Sequence, residues 1–379
     1  MAEKTRVAMT TTLRLLRPDA AAAEAPVVIA PMVNQSELAY RMLVRKVAGP
    51  RLCYTPMIHA RMFVEGSEKY RRDQFETCAE DRPLIAQFCG HDPVVLLAAG
   101  KLVQDRCDGV DINLGCPQKI AKRGRYGAYL LKDADLLERI VSTLSQGLRV
   151  PVSCKIRLVT GPDLEPTLEL ARRLERAGCK LLTVHGRFLE QNKHLVGSCD
   201  WDAIRRIKQV VSIPVVANGG IATPDDARAC VAATGVDGVM SCEAVLENPT
   251  LFATSGAAAP LSQFDVVRAY LDLADAHASG QPKAARAHIF KFLYGCMTQH
   301  PDFFPKFGLA RDVPGLRAVC EELFALHSGD AACTHAACGS WADSPWYHRH
   351  RRGAVAGGVD DGGEPPAKRA MAMAMGDDE

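Results

Sequence analysis

The fold is decided by the stretch Gly109-Val110-Asp111-Ile112-Asn113-Leu114-Gly115-Cys116-Pro117-Gln118. Its pattern predicts a short buried strand that ends abruptly in a Gly-Cys-Pro turn. Glycine lets the backbone come close to a ligand, and proline stops the hydrogen-bond ladder of a strand. The turn presents one thiol at the end of the strand. Taken by itself, Cys116 is more often a structural residue than a functional one, because a free cysteine commonly behaves as a small hydrophobic side chain.

Seven further runs of this kind occur along the chain. Each is continuously apolar rather than alternating, which is typical of strands covered on both faces. The eight predicted strands are Val27–Pro31, Arg51–Thr55, Leu84–Phe88, Val110–Leu114, Val152–Ile156, Leu181–His185, Val215–Asn218 and Val236–Met240. Amphipathic helices are predicted at Glu37–Val47, Pro93–Gln104, Ala134–Gln146, Leu164–Ala177, Trp201–Val210 and Pro224–Ala232. This alternation indicates an α/β protein of the (β/α)8 TIM-barrel class.

The rival architecture is an open doubly wound sheet. Such a sheet carries a Gly-x-Gly-x-x-Gly turn after its first strand when it binds a dinucleotide. The corresponding residues here are Ala30-Pro31-Met32-Val33-Asn34-Gln35, which lack that pattern. The barrel is therefore the favoured fold.

The pattern of strands stops near Leu261, and this change predicts four segments. We expect a flexible leader over residues 1–24, a barrel over 25–260, a helical domain over 261–328 and a low-complexity, largely disordered tail over 329–379. The helices predicted in the third segment are Gln263–Ser279, Lys283–Gln299 and Gly315–Leu326.

Composition excludes several classes of protein. Charged residues make up 24% of the chain, hydrophobic residues 47%, and the net charge is only +2, so any affinity for nucleic acid has to come from a local patch. No apolar run approaches the roughly 18 residues of a membrane span, and nothing implies a protein partner. The tail motif Cys333-x-His335-x-x-Cys338 matches no zinc-site spacing, so we predict no metal.

Cysteine usage indicates the compartment. The 14 cysteines follow no regular framework in this long chain, which favours reduced thiols and a cytoplasmic or nuclear location. Bases among the first 24 residues leave organellar targeting open, although Glu3 and Asp19 argue against a transit peptide.

Polar and turn residues follow six of the eight predicted strands. The active site of a barrel of this class lies at the carboxyl ends of the strands, so these residues should meet there. They are Pro31 and Met32, Gln87, Asn113 with Cys116, Lys155, His185 with Arg187, and Asn218 with Gly219 and Gly220. One such residue has an ordinary structural explanation, but six strand ends together predict a shared pocket.

This set of motifs resembles the tRNA-dihydrouridine synthases, flavin-dependent enzymes that reduce uridine in tRNA. The resemblance extends from about Ala25 to Leu326. It rests on Ala30-Pro31-Met32, Gln87-Phe88-Cys89-Gly90, the stretch Asp111–Gln118, Cys154-Lys155-Ile156-Arg157, His185-Gly186-Arg187 and Asn218-Gly219-Gly220-Ile221. The segments Lys119–Ala128 and Arg286–Lys291 are similar to the eukaryotic branch that acts on D-loop uridines 16 and 17.

The resemblance implies a role for each matching position. Cys116 would be the proton donor, and Asn113 and Arg187 would contact the substrate. FMN contacts would come from Pro31, Met32, Val33, Gln87, Lys155 and His185, with Asn218, Gly219 and Gly220 at the FMN phosphate. NADPH or NADH would serve as the transient reductant. Many members carry Gly-Arg after the eighth strand, where this chain has Cys242 and Glu243, so contacts there should use backbone N–H groups.

These residue types suit the implied chemistry. Reduction of the uracil C5–C6 bond needs a hydride, which only a cofactor can supply, and a proton. A thiol with a pKa of about 8.5 is mostly protonated near pH 7, so Cys116 can act as a general acid. Lys155 offers positive charge to a reduced flavin, and Gln87 can both donate and accept hydrogen bonds. Gly219 and Gly220, with the helix that opens at Thr223, form a predicted anion site.

Two basic segments predict contact with tRNA. The interval Gln281–Arg311 contains Lys283, Arg286, Lys291, Lys306 and Arg311 against Asp302, interleaved with aromatic residues. Taken alone it is equally a helix with a solvated basic face. Lys122, Arg123 and Arg125 are predicted in a rim loop.

Two rival functions remain open. One is a flavin barrel acting on a free pyrimidine or a small enone, which would not need the basic segments. The other is a catalytically silent tRNA-binding protein, against which the joint presence of Cys116, Lys155 and Gln87 argues.

Overall fold

The computed structural model of the chain describes residues 26–49, 51–159, 161, 163–192, 197–253, 261–277 and 282–326. The predicted leader and tail, including Cys333, His335 and Cys338, lie outside the described residues. In the described part of the chain, no helix is both long and apolar enough to cross a membrane.

Nine parallel strands form one sheet in the described residues. They are β1 (Val27–Ile29), β2 (Cys53–Tyr54), β3 (Ile58–His59), β4 (Leu84–Cys89), β5 (Gly109–Leu114), β6 (Val152–Arg157), β7 (Leu181–His185), β8 (Val215–Asn218) and β9 (Gly238–Ser241). Their order is β2-β1-β9-β8-β7-β6-β5-β4-β3, and β2 also pairs with β4. That extra pairing closes eight strands into a barrel and leaves β3 as a short addition beside the end of β4. The predicted (β/α)8 barrel is confirmed.

All six helices predicted in the barrel region are present, and three further helices, Ala60–Glu65, Glu68–Gln74 and Lys119–Gly124, were not predicted. The helices of this region span Leu38–Ala48, Ala60–Glu65, Glu68–Gln74, Pro93–Val103, Lys119–Gly124, Ala134–Gly147, Glu165–Arg176, Trp201–Val210 and Pro224–Thr234, with a 3-10 turn at Gly127–Leu130. Towards the C-terminus the helices are Glu243–Glu247, Gln263–Ala276, Pro282–Phe292, Tyr294–Gln299, Phe303–Leu309 and Val313–Leu326. The single helix predicted over Lys283–Gln299 is interrupted at Leu293.

One loop prediction was wrong. The basic residues after Cys116 form the helix Lys119–Gly124 rather than an irregular loop. The helix ends because Arg125 adopts a left-handed conformation with φ 52°, and Gly127 follows with φ 69°. A single turn of this kind has too few residues to show helical periodicity in the sequence.

The chain divides into two compact units. The first comprises the described residues up to Ser36 and from Arg51 to Cys242, which includes all nine strands. The second comprises Glu37–Gly49 and the described residues from Glu243 onward. It therefore starts before the predicted helical domain at 261 and also takes in the first predicted barrel helix.

A buried polar cluster explains why the second unit includes that helix. Glu37, at the start of the helix Leu38–Ala48, accepts a hydrogen bond from the hydroxyl of Tyr270 (2.9 Å) and pairs with Nε2 of His288 (3.1 Å). The ring of Tyr40 stacks on that of His288 with 4.6 Å between centroids. Because the Tyr40 hydroxyl also donates to the carbonyl of Val245, one helix is tied to three separate parts of this unit.

Candidate active site at the carboxyl ends of the strands

The turn that carries Cys116 is held by hydrogen bonds to its backbone groups. The side-chain oxygen of Asn113 accepts hydrogen bonds from the backbone N–H groups of Gly115 (3.1 Å) and Cys116 (3.0 Å). The carbonyl of Cys116 accepts from the N–H of Ala128 (3.1 Å). Gly127 must be glycine here, because a Cβ would lie 2.7 Å from the carbonyl oxygen of Cys116 and the residue has positive φ. The thiol is thus presented on a rigid turn.

A chain of buried amides continues from this turn into the barrel. Nδ2 of Asn113 donates to Oε1 of Gln87 (2.8 Å), and Nε2 of Gln87 donates to Oδ2 of Asp111 (2.8 Å). The second oxygen of Asp111 accepts from the hydroxyl of Ser153 (2.7 Å). The structure therefore brings Asn113 and Gln87 into direct contact, and it adds Asp111 and Ser153, to which the sequence analysis assigned no role.

Lys155 and Asn218 form the second group of the site. Nζ of Lys155 donates to Oδ1 of Asn218 (2.8 Å), and Nδ2 of Asn218 donates to the carbonyl of Met240 (3.0 Å). Both polar ends of the Asn218 amide are therefore occupied by protein. Asn218 was predicted at the FMN phosphate, whereas its side chain here orients the Lys155 ammonium.

His185 and Arg187 form a third group. Nη1 of Arg187 lies 3.0 Å from Nε2 of His185, and the same guanidinium donates to the carbonyl of Gly197. Because a guanidinium only donates, Nε2 must accept, and a neutral His185 ring carries its proton on Nδ1. Burial, with the charges of Arg157 and Lys155, holds the pKa of His185 well below its ordinary value. The ring is therefore a neutral hydrogen-bonding group at physiological pH.

Gly219 and Gly220 form a cradle of backbone N–H groups. Both have positive φ (104° and 79°), and among the described residues neither N–H has a hydrogen-bond partner. The carbonyl of Asn218 accepts from Gly186 N–H (3.2 Å), and the carbonyl of Gly219 accepts from the Trp201 indole (3.2 Å). A trans peptide points its N–H away from its C=O, so these two bonds fix the directions of both glycine N–H groups. The cradle is preorganised for an anion.

The nearby helix end contributes less than predicted. The N–H of Asp226 is capped by the Thr223 hydroxyl, and the N–H groups of Ala222 and Thr223 donate to the Asp226 carboxylate. A carboxylate of the protein therefore already occupies the start of the helix Pro224–Thr234. The expectation that this helix end shares in binding an anion is wrong, and the cradle rests on Gly219 and Gly220.

The remaining predicted cofactor contacts have different environments. Pro31 is partly buried and Met32 is buried beside the Ser36 hydroxyl, which bonds to both its N–H (3.0 Å) and its carbonyl (3.2 Å). Val33 is 50% exposed. Cys242 directly follows β9 and is half-buried, while Glu243 opens the helix Glu243–Glu247 of the second unit.

Arg157 is a further site residue, present in the quoted motif without an assigned role. Its Nε donates to the carbonyl of Gly115 (2.8 Å), and its Nη1 donates to the carbonyls of Phe188 (3.0 Å) and Gln191 (3.3 Å). The guanidinium thus ties the Cys116 turn to the segment after β7. A cation two residues beyond Lys155, on the same face of the strand, is the signal that could have identified it.

Burial sets the electrostatics of the site. It raises the pKa of the Cys116 thiol, although the bond from Gln118 and the charges of Arg157 and Lys155 oppose the shift. It lowers the pKa of Lys155 to about 8, helped by Arg157, and raises that of Asp111 to about 6. At neutral pH the thiol is protonated and the ammonium is mostly charged.

The predicted basic residues of the first unit are solvent-exposed. Lys122 and Arg123 lie on the helix Lys119–Gly124, and Arg125 lies at its end. Ile120 on the same helix is 54% exposed. A short helix with exposed cations and one exposed apolar side chain directly follows the Cys116 turn.

The predicted basic residues of the second unit differ from one another. Lys283 is exposed, whereas Arg286 is half-buried and donates to the carbonyl of Ala310 (2.6 Å). Lys291 is buried, and its ammonium donates to the carbonyl of Ala287 (3.2 Å). The prediction of a continuous solvated basic face was therefore wrong for Lys291, because the helix Pro282–Phe292 turns that side chain towards the interior.

The fold and the site together define the class of protein. A parallel (β/α)8 barrel carries on its strand ends a protonated thiol, a half-buried lysine, a neutral histidine and a glycine cradle whose N–H groups lack partners among the described residues. This arrangement suits an anionic cofactor and proton transfer. The model of the family "Dihydrouridine synthase (Dus)" matches residues 28–299. The chain belongs to the dihydrouridine synthase family.

Three relatives illustrate the match. A protein of Rattus norvegicus named tRNA-dihydrouridine(16/17) synthase [NAD(P)(+)]-like is 44% identical over 298 residues, which cover 78% of this chain and 66% of that protein. The Mus musculus protein of the same name is also 44% identical, over 78% of this chain and 61% of its own length. The tRNA-dihydrouridine(16/17) synthase [NAD(P)(+)] of Saccharomyces cerevisiae is 41% identical over 73% of this chain and 67% of that protein. The chain thus spans slightly less than two thirds of the two mammalian relatives.

Proposed function

We propose that this chain is an FMN-dependent tRNA-dihydrouridine synthase that reduces the C5–C6 bond of D-loop uridine with NADPH, or NADH, as electron donor. The observation that carries the proposal is the arrangement of the Cys116 thiol, the Lys155 ammonium and the Gly219-Gly220 cradle on the strand ends of one barrel. The names of the rat, mouse and yeast relatives support the reaction, the tRNA and the nicotinamide donor.

The residues present fit FMN. Gly219 and Gly220 would hold its phosphate through their N–H groups, since these lack partners among the described residues. Position 219 requires glycine, because a Cβ there would lie 2.8 Å from the Cys199 sulfur. Lys155 would hold the flavin ring, with Asn218 fixing the direction of its ammonium. When bound, FMN supplies hydride chemistry that no side chain can.

The protein's own contribution is to hold a proton and to orient the uracil. Sγ of Cys116 holds the proton destined for one carbon of the C5–C6 bond, and burial keeps the thiol protonated by raising its pKa. Arg187, whose guanidinium is fixed by His185 and Gly197, would orient the base. Asn113 carries a second N–H on Nδ2, beyond the one given to Gln87, that can meet a uracil carbonyl.

Basic side chains at the surface would bind the tRNA backbone. The exposed side chains of Lys122, Arg123 and Arg125 on the first unit and of Lys283 on the second are available to phosphates. The target base lies in a folded tRNA and must leave its stack to reach a pocket at the strand ends. We propose a cytoplasmic or nuclear location, since all twelve cysteines of the described residues are free thiols.

The decisive experiment separates this function from its rivals. Purified protein is incubated with unmodified tRNA transcript and NADPH or NADH, and dihydrouridine is quantified and mapped by mass spectrometry. Free uridine and uracil serve as alternative substrates, and flavin is identified after extraction. Dihydrouridine at D-loop positions supports the proposal. Faster reduction of free uracil would favour a small-molecule reductase, and tRNA binding without flavin or turnover would favour a silent binder.

The tRNA surface is tested separately. Replacing Lys122 and Arg123 by glutamine should weaken tRNA binding and reduce the slope of affinity against salt by about 1 for each phosphate that is no longer bound. Lys101→Gln, an exposed lysine on the helix Pro93–Val103, is the matched control and should leave the slope unchanged. An unchanged slope in the double variant would show that these residues do not bind phosphate.

A further inference from the structure

Asp111 occupies an unusual position for a carboxylate. It lies in the middle of β5 and is fully buried, with the apolar residues Val110 and Ile112 on either side. Burial raises its pKa to about 6, because a charge is costly away from water. The hydrogen bonds that it accepts offset part of this cost. Its two partners, Gln87 and Ser153, come from the neighbouring strands β4 and β6.

The chain of hydrogen bonds that leaves Asp111 has only one self-consistent direction. At one end an ionised carboxylate can only accept, and at the other end the backbone N–H groups of Gly115 and Cys116 can only donate. Between them lie the amides of Gln87 and Asn113. If either amide were turned over, two donors or two acceptors would face each other, so both orientations are determined.

We propose that Asp111 is a positioning residue: its carboxylate orients the Gln87 and Asn113 amides and thereby the turn that presents the Cys116 thiol. Gln87 is the first link and Asn113 the second, each at 2.8 Å. Asn113 then bonds both N–H groups of the turn. Asp111 touches neither the thiol nor the strand-end surface, and it acts through these two amides. Its effect on catalysis rests on the proposed function, whereas its effect on the turn does not.

Two single variants separate orientation from packing. Asp111→Leu keeps a similar shape but removes the acceptor, so Gln87 is no longer oriented. Asp111→Asn keeps an acceptor for Gln87 while its own amide N–H meets the Ser153 oxygen, which can accept as well as donate. We expect a 10- to 100-fold slower single-turnover formation of dihydrouridine in Asp111→Leu and a change of less than about threefold in Asp111→Asn, since misplacement by about 1 Å can cost 10²-fold.

A swap of acid and amide provides an independent test that does not depend on leucine being tolerated. Gln87→Glu places two carboxylates against each other and breaks the chain. The double variant Gln87→Glu/Asp111→Asn restores it, because the amide introduced at position 111 donates to the carboxylate introduced at position 87. That carboxylate still accepts from Asn113. We expect single-turnover dihydrouridine formation to be at least tenfold faster in the double variant than in Gln87→Glu. Independent sites do not show such coupling.

A readout without turnover follows the turn itself. The full-length protein is treated with iodoacetamide at pH 7.5, and alkylation of Cys116 is followed by peptide-resolved mass spectrometry. Burial raises the pKa of this thiol, so a loosened turn should expose it and increase its alkylation rate severalfold in Asp111→Leu and Gln87→Glu. The rate should return towards the wild-type value in Asp111→Asn and in the double variant.

The outcomes are distinct. Enhanced alkylation in Gln87→Glu that the second substitution reverses supports the positioning role, whether or not wild-type protein reduces uridine. An alkylation rate in Gln87→Glu that equals wild type, or that Asp111→Asn does not correct, overturns it. Failure of wild-type protein to form dihydrouridine, with this alkylation pattern intact, overturns the proposed function alone.

Discussion

Replacement of Cys116 by alanine tests the central assignment of the site. The substitution removes the thiol but leaves the backbone bonds of the turn, because Asn113 binds the N–H of residue 116 and Ala128 binds its carbonyl. The turn should therefore persist, and both FMN and tRNA should still bind.

The magnitude follows from the state of the thiol. Burial raises its pKa above the ordinary value of about 8.5, so at pH 7.5 more than about nine tenths of the thiol is protonated and ready to donate. General-acid catalysis contributes about 10²- to 10⁴-fold, which corresponds to about 3–5 kcal/mol of activation free energy. We expect a loss of single-turnover dihydrouridine formation in that range. Oxidation of NADPH without tRNA does not use this proton and should change by less than about threefold.

Cys89 supplies the matched control. It is a fully buried thiol in the same small cluster, packed with Ala121, Tyr126 and Cys116. Cys89→Ala removes a neighbouring sulfur of equal size and should leave dihydrouridine formation within about threefold of wild type. Both reactions are measured on each variant by rapid quench and by absorbance. A Cys116→Ala protein that forms dihydrouridine at the wild-type rate, or whose rate falls no further than that of Cys89→Ala, would refute the role of proton donor.

Two further predictions concern cofactor affinity and stability. Trp201→Phe removes the indole N–H that donates to the Gly219 carbonyl, so the direction of the Gly220 N–H in the same peptide is no longer fixed. We expect the FMN dissociation constant, measured by fluorescence titration, to rise about fivefold to tenfold, or about 1 kcal/mol. An unchanged constant would contradict the cradle. Glu37→Leu leaves buried His288 without its carboxylate and should lower the free energy of unfolding in urea by about 3–5 kcal/mol. The control is Glu322→Gln, which removes the exposed ion pair between Glu322 and Lys306 and should cost less than about 1 kcal/mol. Burial raises the pKa of Glu37, but the interaction with His288 and the other hydrogen bonds outweigh burial, so the pKa is lowered. The contribution of Glu37 to stability is therefore present above its unfolded pKa of about 4.3 and is lost as pH falls through the lower folded value. Equal stability of wild type and Glu37→Leu at pH 7 would contradict this account.

Sequence patterns predicted the order and position of the barrel strands well. The strands Leu181–His185 and Val215–Asn218 and the helix Trp201–Val210 begin and end where they were predicted. These elements depend on local properties, namely continuous apolar runs and capping residues, that short stretches of sequence carry. Their polar ends also indicated the site, because parallel strands of a barrel bring their carboxyl ends to one face.

Several short elements, among them the helices Ala60–Glu65 and Glu68–Gln74, were missed because they carry little local signal. The strand Ile58–His59 and the helix Lys119–Gly124 are too short to show a period. The burial of Lys291 was also missed, since the same basic pattern describes a solvated face until the packing of the unit is known.

By itself the sequence determined which chemical groups reach the strand ends of this protein: a thiol, a lysine, a histidine and a pair of glycines. Only the tertiary structure decided what each group does there. It turned the Asn218 amide towards Lys155 and linked Asp111 to the Cys116 turn. Hydrogen-bond direction depends on which donors and acceptors meet across strands, and residues 24 to 63 positions apart meet only when the barrel closes.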